Sequence, residues 1–179
     1  MDEKERVKIK ELISKGWAKN KLSISFDNAE YLRFINVTPE NIGDHVQLIL
    51  SKAYFEKNAE DLEYALLIAV FFQIECTFPD ILSQLIIERW HFKHEDIAKT
   101  LQEIRSPDTV DSICQAIIIA PELEYLNYRN GESLITKCMW ALNDIDTPHA
   151  KEKIKAFSTS DNELIRNAAL KRINKWSLS

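Results

Sequence analysis

The chain is poor in the residues that turn a backbone. It has three glycines and five prolines in 179 residues, where ordinary usage would supply about 12 and about 9. That scarcity excludes collagen-like and low-complexity chains and points to helices joined by short connections. The three cysteines are an odd number without a C-x-x-C pair, which excludes a disulfide scaffold and the common zinc spacings. Cys76, Cys114 and Cys138 fall in apolar helical patterns and read as reduced, buried thiols. No apolar run reaches the length of a membrane span; the longest, Tyr64 to Phe72, is too short. No signal-peptide stretch follows Met1-Asp2-Glu3-Lys4-Glu5-Arg6. The expectation is a cytoplasmic protein with no membrane partner. Also missing are a Gly-rich phosphate loop, H-E-x-x-H and G-x-S-x-G, so the expectation is a non-enzyme without a cofactor.

What is present is an apolar share of 45%, enough for one helical domain over 1–179. The net charge of −5 is unevenly spread. Residues 59–146 hold 16 acidic against six basic side chains, whereas 147–179 hold three against seven. Such a middle repels phosphate backbones, which argues against nucleic acid, and attracts a basic protein. A solvated acidic face kept for solubility is the competing reading.

The chain also repeats itself. Leu101-x-x-Ile104-x-Ser106-Pro107 returns 41 residues later as Leu142-x-x-Ile145-x-Thr147-Pro148. At an offset of 31, Leu134, Cys138, Leu142 and Ile145 fall on Ile165, Ala169, Ile173 and Trp176. A unit of about 31 residues with one copy lengthened by about ten accounts for both offsets, and residues 121–130 are the candidate insertion. Each unit reads as two helices: Val110, Ile113, Cys114, Ile117 and Ile118 trace one buried stripe. Ser106 and Thr147, each followed by proline, are expected N-caps, and Asp161 is expected to cap the last helix.

The periodicity predicts helices over 3–15, 41–56, 60–75, 79–90, 94–105, 107–119, 132–145, 148–157 and 162–175. Gly16 is the expected end of the first. Over 17–38, Leu22 to Phe26 alternates like a short strand, but a loop leading into a helix at Ala29 to Ile35 is favoured.

Cys138 to Ile145 followed by Asp146-Thr147-Pro148-His149-Ala150, together with Asp161 to Leu170, resembles HEAT repeats, most of all the short HEAT-like repeats of the phycobilisome-lyase type. The usual inter-helix glycine is replaced by Asn143 or Asp144. The resemblance covers about 94–176 and implies an all-α solenoid of stacked antiparallel helix pairs over 59–179, with 1–58 as a helical lead-in. It does not fix a function. Small acidic HEAT-like proteins are similar to the immunity partners of bacterial toxins, in which an acidic face covers a basic active site. An adaptor or chaperone scaffold, and a tetrapyrrole lyase or isomerase, are the alternatives that the resemblance implies. Iron-binding HEAT-like hydroxylases carry several His-Glu pairs, whereas this chain has only His94-Glu95, and HEAT-like glycosylases need a basic groove.

Candidate partner-binding residues are Asp108, Asp111, Glu122, Glu124, Tyr125, Tyr128, Arg129, Asp144 and Asp146. The tyrosines would anchor a partner through large contact areas with few rotors to freeze; the alternative is that Leu123 and Leu126 fold the insertion back and tuck the tyrosines in. Glu88, His91, His94 and Glu95 are the nearest approach to a metal cluster, but they straddle a helix break. Trp140 and Trp176 read as packing residues, and Lys171, Arg172 and Lys175 as the polar outer face of the last helix. Monomer and homodimer both remain open.

Overall fold

A computed structural model describes residues 1–19 and 26–176, and among these the fold is all-helical, without strands. In chain order the helices are α1 (Glu3–Lys19), α2 (Asn28–Ile35), α3 (Ile42–Glu56), α4 (Ala59–Phe72), α5 (Pro79–Leu85), α6 (His94–Ile104), α7 (Val110–Ile119), α8 (Glu132–Ile145), α9 (Pro148–Phe157) and α10 (Glu163–Trp176). Their contacts divide the chain into two compact units, Met1–Thr77 and Phe78–Ser179. The acidic stretch straddles both.

In the first unit α1 packs on α2 and α4, and α3 packs on α4. Ile9, Leu12, Val46, Leu50, Leu62 and Ile68 form its core. Charged groups are enclosed with them. The Asp61 carboxylate receives Arg6 Nε at 2.7 Å, Arg6 Nη2 at 3.2 Å and the Met1 amino group at 2.9 Å. Glu5 accepts from the Tyr31 hydroxyl at 2.6 Å and bonds His45 Nε2 at 2.7 Å. One carboxylate therefore joins α1 to α2 and α3.

In the second unit α8 is central and packs against α6, α7, α9 and α10. Helices α5, α7 and α9 also contact one another in sequence. Leu85, Ile97, Leu101, Ile113, Leu134 and Leu142 are enclosed between them. Side-chain contacts fix directions. Lys137 meets Glu95 at 2.6 Å, and Gln102 donates to Asp144 at 2.6 Å, so α6 and α8 run the same way. Trp176 Nε1 donates to Asn143 at 2.9 Å and the Arg172 guanidinium lies 3.8 Å from the Trp140 ring centre, so α10 follows α8.

Several expected boundaries shift for local reasons. The first helix runs through Gly16 to Lys19. Residues 20–25 of the expected loop lie outside the described residues, and α2 forms where Ala29 to Ile35 suggests it. Helix α5 stops at Leu85 rather than 90, and residues 107–109 form a 3₁₀ turn ahead of α7. Thr147 caps α9, its hydroxyl accepting from Ala150 N–H at 3.2 Å. Ser106 makes no side-chain cap. The last helix is capped by Asn162 rather than Asp161: its Oδ1 accepts from the N–H groups of Leu164 and Ile165. Cys114 and Cys138 are buried, but Cys76 is exposed.

Candidate functional site

The insertion is built from two 3₁₀ turns, Ala120–Glu122 and Glu124–Arg129. Leu123 and Leu126 are buried and pin it to the core. It ends at Gly131, whose φ of +73° and close approach to Ala120 leave no room for a side chain: a Cβ there would lie 2.4 Å from the Ala120 carbonyl oxygen. Only glycine combines that backbone region with that contact.

The two tyrosines then part company. Tyr125 is half-buried and its hydroxyl lies 2.9 Å from His94 Nδ1. His94 Nε2 is 2.5 Å from the Glu88 carbonyl oxygen, so Nε2 carries the proton and Nδ1 accepts from the tyrosine. His91 stacks on His94 with ring centres 4.2 Å apart. It donates from Nε2 to the Leu85 carbonyl at 2.8 Å and accepts at Nδ1 from the Lys93 N–H at 3.1 Å. Burial pushes His91 down to about 4, with the neighbouring His94 adding to the effect; burial also lowers His94. Both rings are neutral at pH 7, with each ring nitrogen engaged, which leaves no lone pair for a metal. Glu88 enters only through its backbone, and Glu95 is taken by Lys137. Among the described residues no group of three or more His, Cys, Asp or Glu is placed to hold a metal ion.

Tyr128, one 3₁₀ turn beyond Tyr125, is 78% exposed with the Arg129 guanidinium 5.7 Å from its ring centre. Phe92 is 66% exposed and meets Tyr125 edge-on with ring centres 5.2 Å apart. Tyr125 thus braces Phe92 and ties the insertion to His94, while Phe92 and Tyr128 are both left exposed. Glu122 pairs with Arg89 at 2.6 Å, and Glu124 is exposed.

The other candidate residues lie at the opposite ends of α7 and α8. Asp108 is exposed in the 3₁₀ turn before α7. Asp111 bonds Lys153 at 3.0 Å and His149 at 3.2 Å, and these neighbours, Lys153 first, hold its carboxyl below the ordinary range. Asp146 pairs with Lys151 at 2.6 Å, and Asp144 accepts from Gln102 and Asn143. The basic C-terminal helices answer part of the acidic middle within the same unit. Asp108, Asp111, Asp144 and Asp146 therefore form one edge, and residues 122–129 the other.

Phe92 and Arg89 were not among the sequence candidates. Their signal was Arg89-Trp90-His91-Phe92-Lys93-His94, an aromatic run between helices that the periodicity assigns in part to α5. Arg172, expected on the outer face, is 7% exposed and stacks on Trp140. Trp140 itself is 36% exposed rather than packed away. Among the described residues no helix is long and apolar enough to cross a membrane. Comparison with protein-family models, characterised proteins and solved structures finds no match.

Proposed function

We propose that the chain is a non-enzymatic, HEAT-like α-solenoid that binds a basic protein through its insertion edge, with neutralisation of a toxin by steric occlusion as the specific role. The solenoid reading is supported by constant contact offsets: 42 residues separate both Glu95 from Lys137 and Gln102 from Asp144. An offset of 32 or 33 links Trp140 to Arg172 and Asn143 to Trp176. These spacings lie within one or two residues of the sequence repeats, as stacked copies of one helix pair require.

The observation that carries the binding reading is the pair of exposed aromatics, Phe92 and Tyr128, set around a Tyr125 that is fastened to His94. Phe92, held edge-on against Tyr125, loses little entropy on association, and exposed aromatics of this kind dominate interface energy. Glu124 on the insertion edge and Asp108 on the other supply negative charge for steering. Glu122, Asp111 and Asp146, already paired, contribute less.

The test is affinity capture from native extract at low and high salt, with wild type and a Phe92→Ala/Tyr128→Ala variant. Capture of one basic protein is expected, weakened by salt and reduced about 30-fold or more in the variant, as loss of hot-spot aromatics implies. Capture unchanged by the substitutions, or no capture at all, overturns the reading.

A further inference from the structure

The second unit contains a cleft of about 210 Å³ between α8 and α10. Thr136 and Met139 line it from α8, and Leu164, Ala168, Lys171 and Arg172 from α10. Their spacings of three, four, seven and eight residues place each set on one helix face.

Arg172 is the unusual member. Its side chain is enclosed, its guanidinium lies over Trp140, and its Nη1 has no hydrogen-bond acceptor among the described residues. Asp144 acts on it only through space, being bonded to Gln102 and Asn143. Buried guanidinium groups are normally paired, because desolvating the charge and leaving a donor unused both cost free energy. Burial accordingly lowers the Arg172 pKa, with the Asp144 charge opposing.

We propose that this cleft binds a small monocarboxylate with an apolar body, whose carboxylate supplies the acceptor that Arg172 lacks. The charge balance selects a monoanion: Lys171, Arg172 and Glu132 line the cleft, Lys175 lies 4.8 Å from the centre of the Trp140 ring that Arg172 covers, and the Asp144 charge acts on Arg172, which makes three cations against two carboxylates. The single surplus positive charge suits a carboxylate better than a phosphate dianion. A planar guanidinium matches a carboxylate in two parallel hydrogen bonds, and Met139, Leu164 and Ala168 offer apolar wall to the rest of the ligand.

The experiment is a titration of the full chain followed by backbone amide and indole shifts in NMR, with hexanoate, acetate, hexanamide and inorganic phosphate as probes. Hexanoate is expected to give saturable shifts confined to α8, α10 and the Trp140 indole, with acetate at least tenfold weaker. Hexanamide, which keeps the chain but lacks the charge, should not bind, and phosphate should bind more weakly than hexanoate. Lys171→Gln changes an exposed side chain, so it leaves the fold intact and weakens hexanoate several-fold. Arg172→Met should abolish the preference of hexanoate over hexanamide. Should that variant not fold, the hexanoate–hexanamide difference and Lys171→Gln still decide. Equal binding of hexanamide, binding of phosphate as tight as hexanoate, or no saturable shift with any probe overturns the proposal.

Discussion

In the first unit the enclosed polar side chains carry charge: Asp61 meets Arg6, and Glu5 meets Tyr31 and His45. In the second they are chiefly neutral: His91 and His94 donate to backbone carbonyls and accept from a backbone N–H and a tyrosine. The two arrangements satisfy the same requirement that buried polar atoms be bonded, but respond differently to mutation and to pH. A buried ion depends on its partner, because removing one charge strands the other. A buried neutral imidazole depends on staying neutral.

The largest effect is therefore expected in the first unit. Asp61→Ala leaves the enclosed Met1 amino group without its carboxylate and the Arg6 guanidinium with only the exposed Glu3, 3.0 Å away, and loss of one member of a buried pair costs about 3–5 kcal/mol. Arg6 is 20% exposed, so water can reach it and the lower end of that range applies. Urea denaturation of the variant measures it; a loss below about 1 kcal/mol would mean that the pair is screened like a surface bridge. The pH dependence has a definite sign. Burial raises the Asp61 pKa, but hydrogen bonds from Arg6 and the Met1 amino group outweigh it, and the net shift is downward. This stabilisation is complete above the ordinary aspartate range and is lost only as pH falls through the lowered value.

The second unit should weaken earlier on acidification. His91 has a folded pKa of about 4 against the ordinary 6.5 of a solvated imidazole, so the unfolded chain takes up a proton first. Its contribution is complete above about pH 6.5 and falls by about 3 kcal/mol as pH drops to 4; His94, shifted the same way, steepens the loss. Hydrogen exchange between pH 6.5 and 4 should show protection falling across α6 and α8 while α1 and α4 keep theirs. His91→Phe should flatten that slope. A slope equal in both units, or one unchanged in the variant, would break the contrast.

The comparison also explains how much was legible in the sequence. Helices α8 and α9 begin and end where the periodicity places them, because their apolar stripes are regular and Thr147-Pro148 marks the junction. The two 3₁₀ turns over residues 120–129 fall where the helical periodicity of the sequence breaks off. What was not legible was which tyrosine would be buried. That depends on His94, 31 residues away in sequence, and no local pattern encodes the pairing. Nor did the charge count reveal that Lys151 and Lys153 answer Asp146 and Asp111, since segment sums ignore which helices become neighbours. Arg172 reads as an outer-face cation because it clusters with Lys171 and Lys175 near the negative end of the last helix; its contact with Trp140 is a tertiary fact.

Glycine scarcity had a further meaning that composition alone could not supply. Among the described residues Gly131 is the one glycine that the backbone needs for two reasons at once, and Gly131→Ala should cost about 2 kcal/mol or more, since the left-handed conformation alone costs about 1–2 kcal/mol and the Ala120 backbone cannot yield cheaply. Thermal denaturation checks the loss. A fall in Tyr128-dependent partner capture, at a temperature where the variant remains folded, would show that the insertion has moved.

Elsewhere the chain ends helices in the left-handed conformation without glycine: Asn36, Lys57 and Gln73 in the first unit, Arg105 and Asp146 in the second. Gln73 closes α4 with φ of 57° and its N–H bonded to the Ala69 and Val70 carbonyls. It is exposed, so replacing it removes no buried contact. Gln73→Gly relieves about 1–2 kcal/mol of left-handed strain but restores about 0.4–1 kcal/mol of freedom to the unfolded chain. The balance is a gain of about 0.5–1 kcal/mol, the smallest of these effects and the only one that stabilises. A higher urea midpoint at unchanged slope would register it. A lower midpoint would mean that the Gln73 side chain does more than close a helix, and glycine scarcity would then mark contacts at the helix ends rather than tolerated strain.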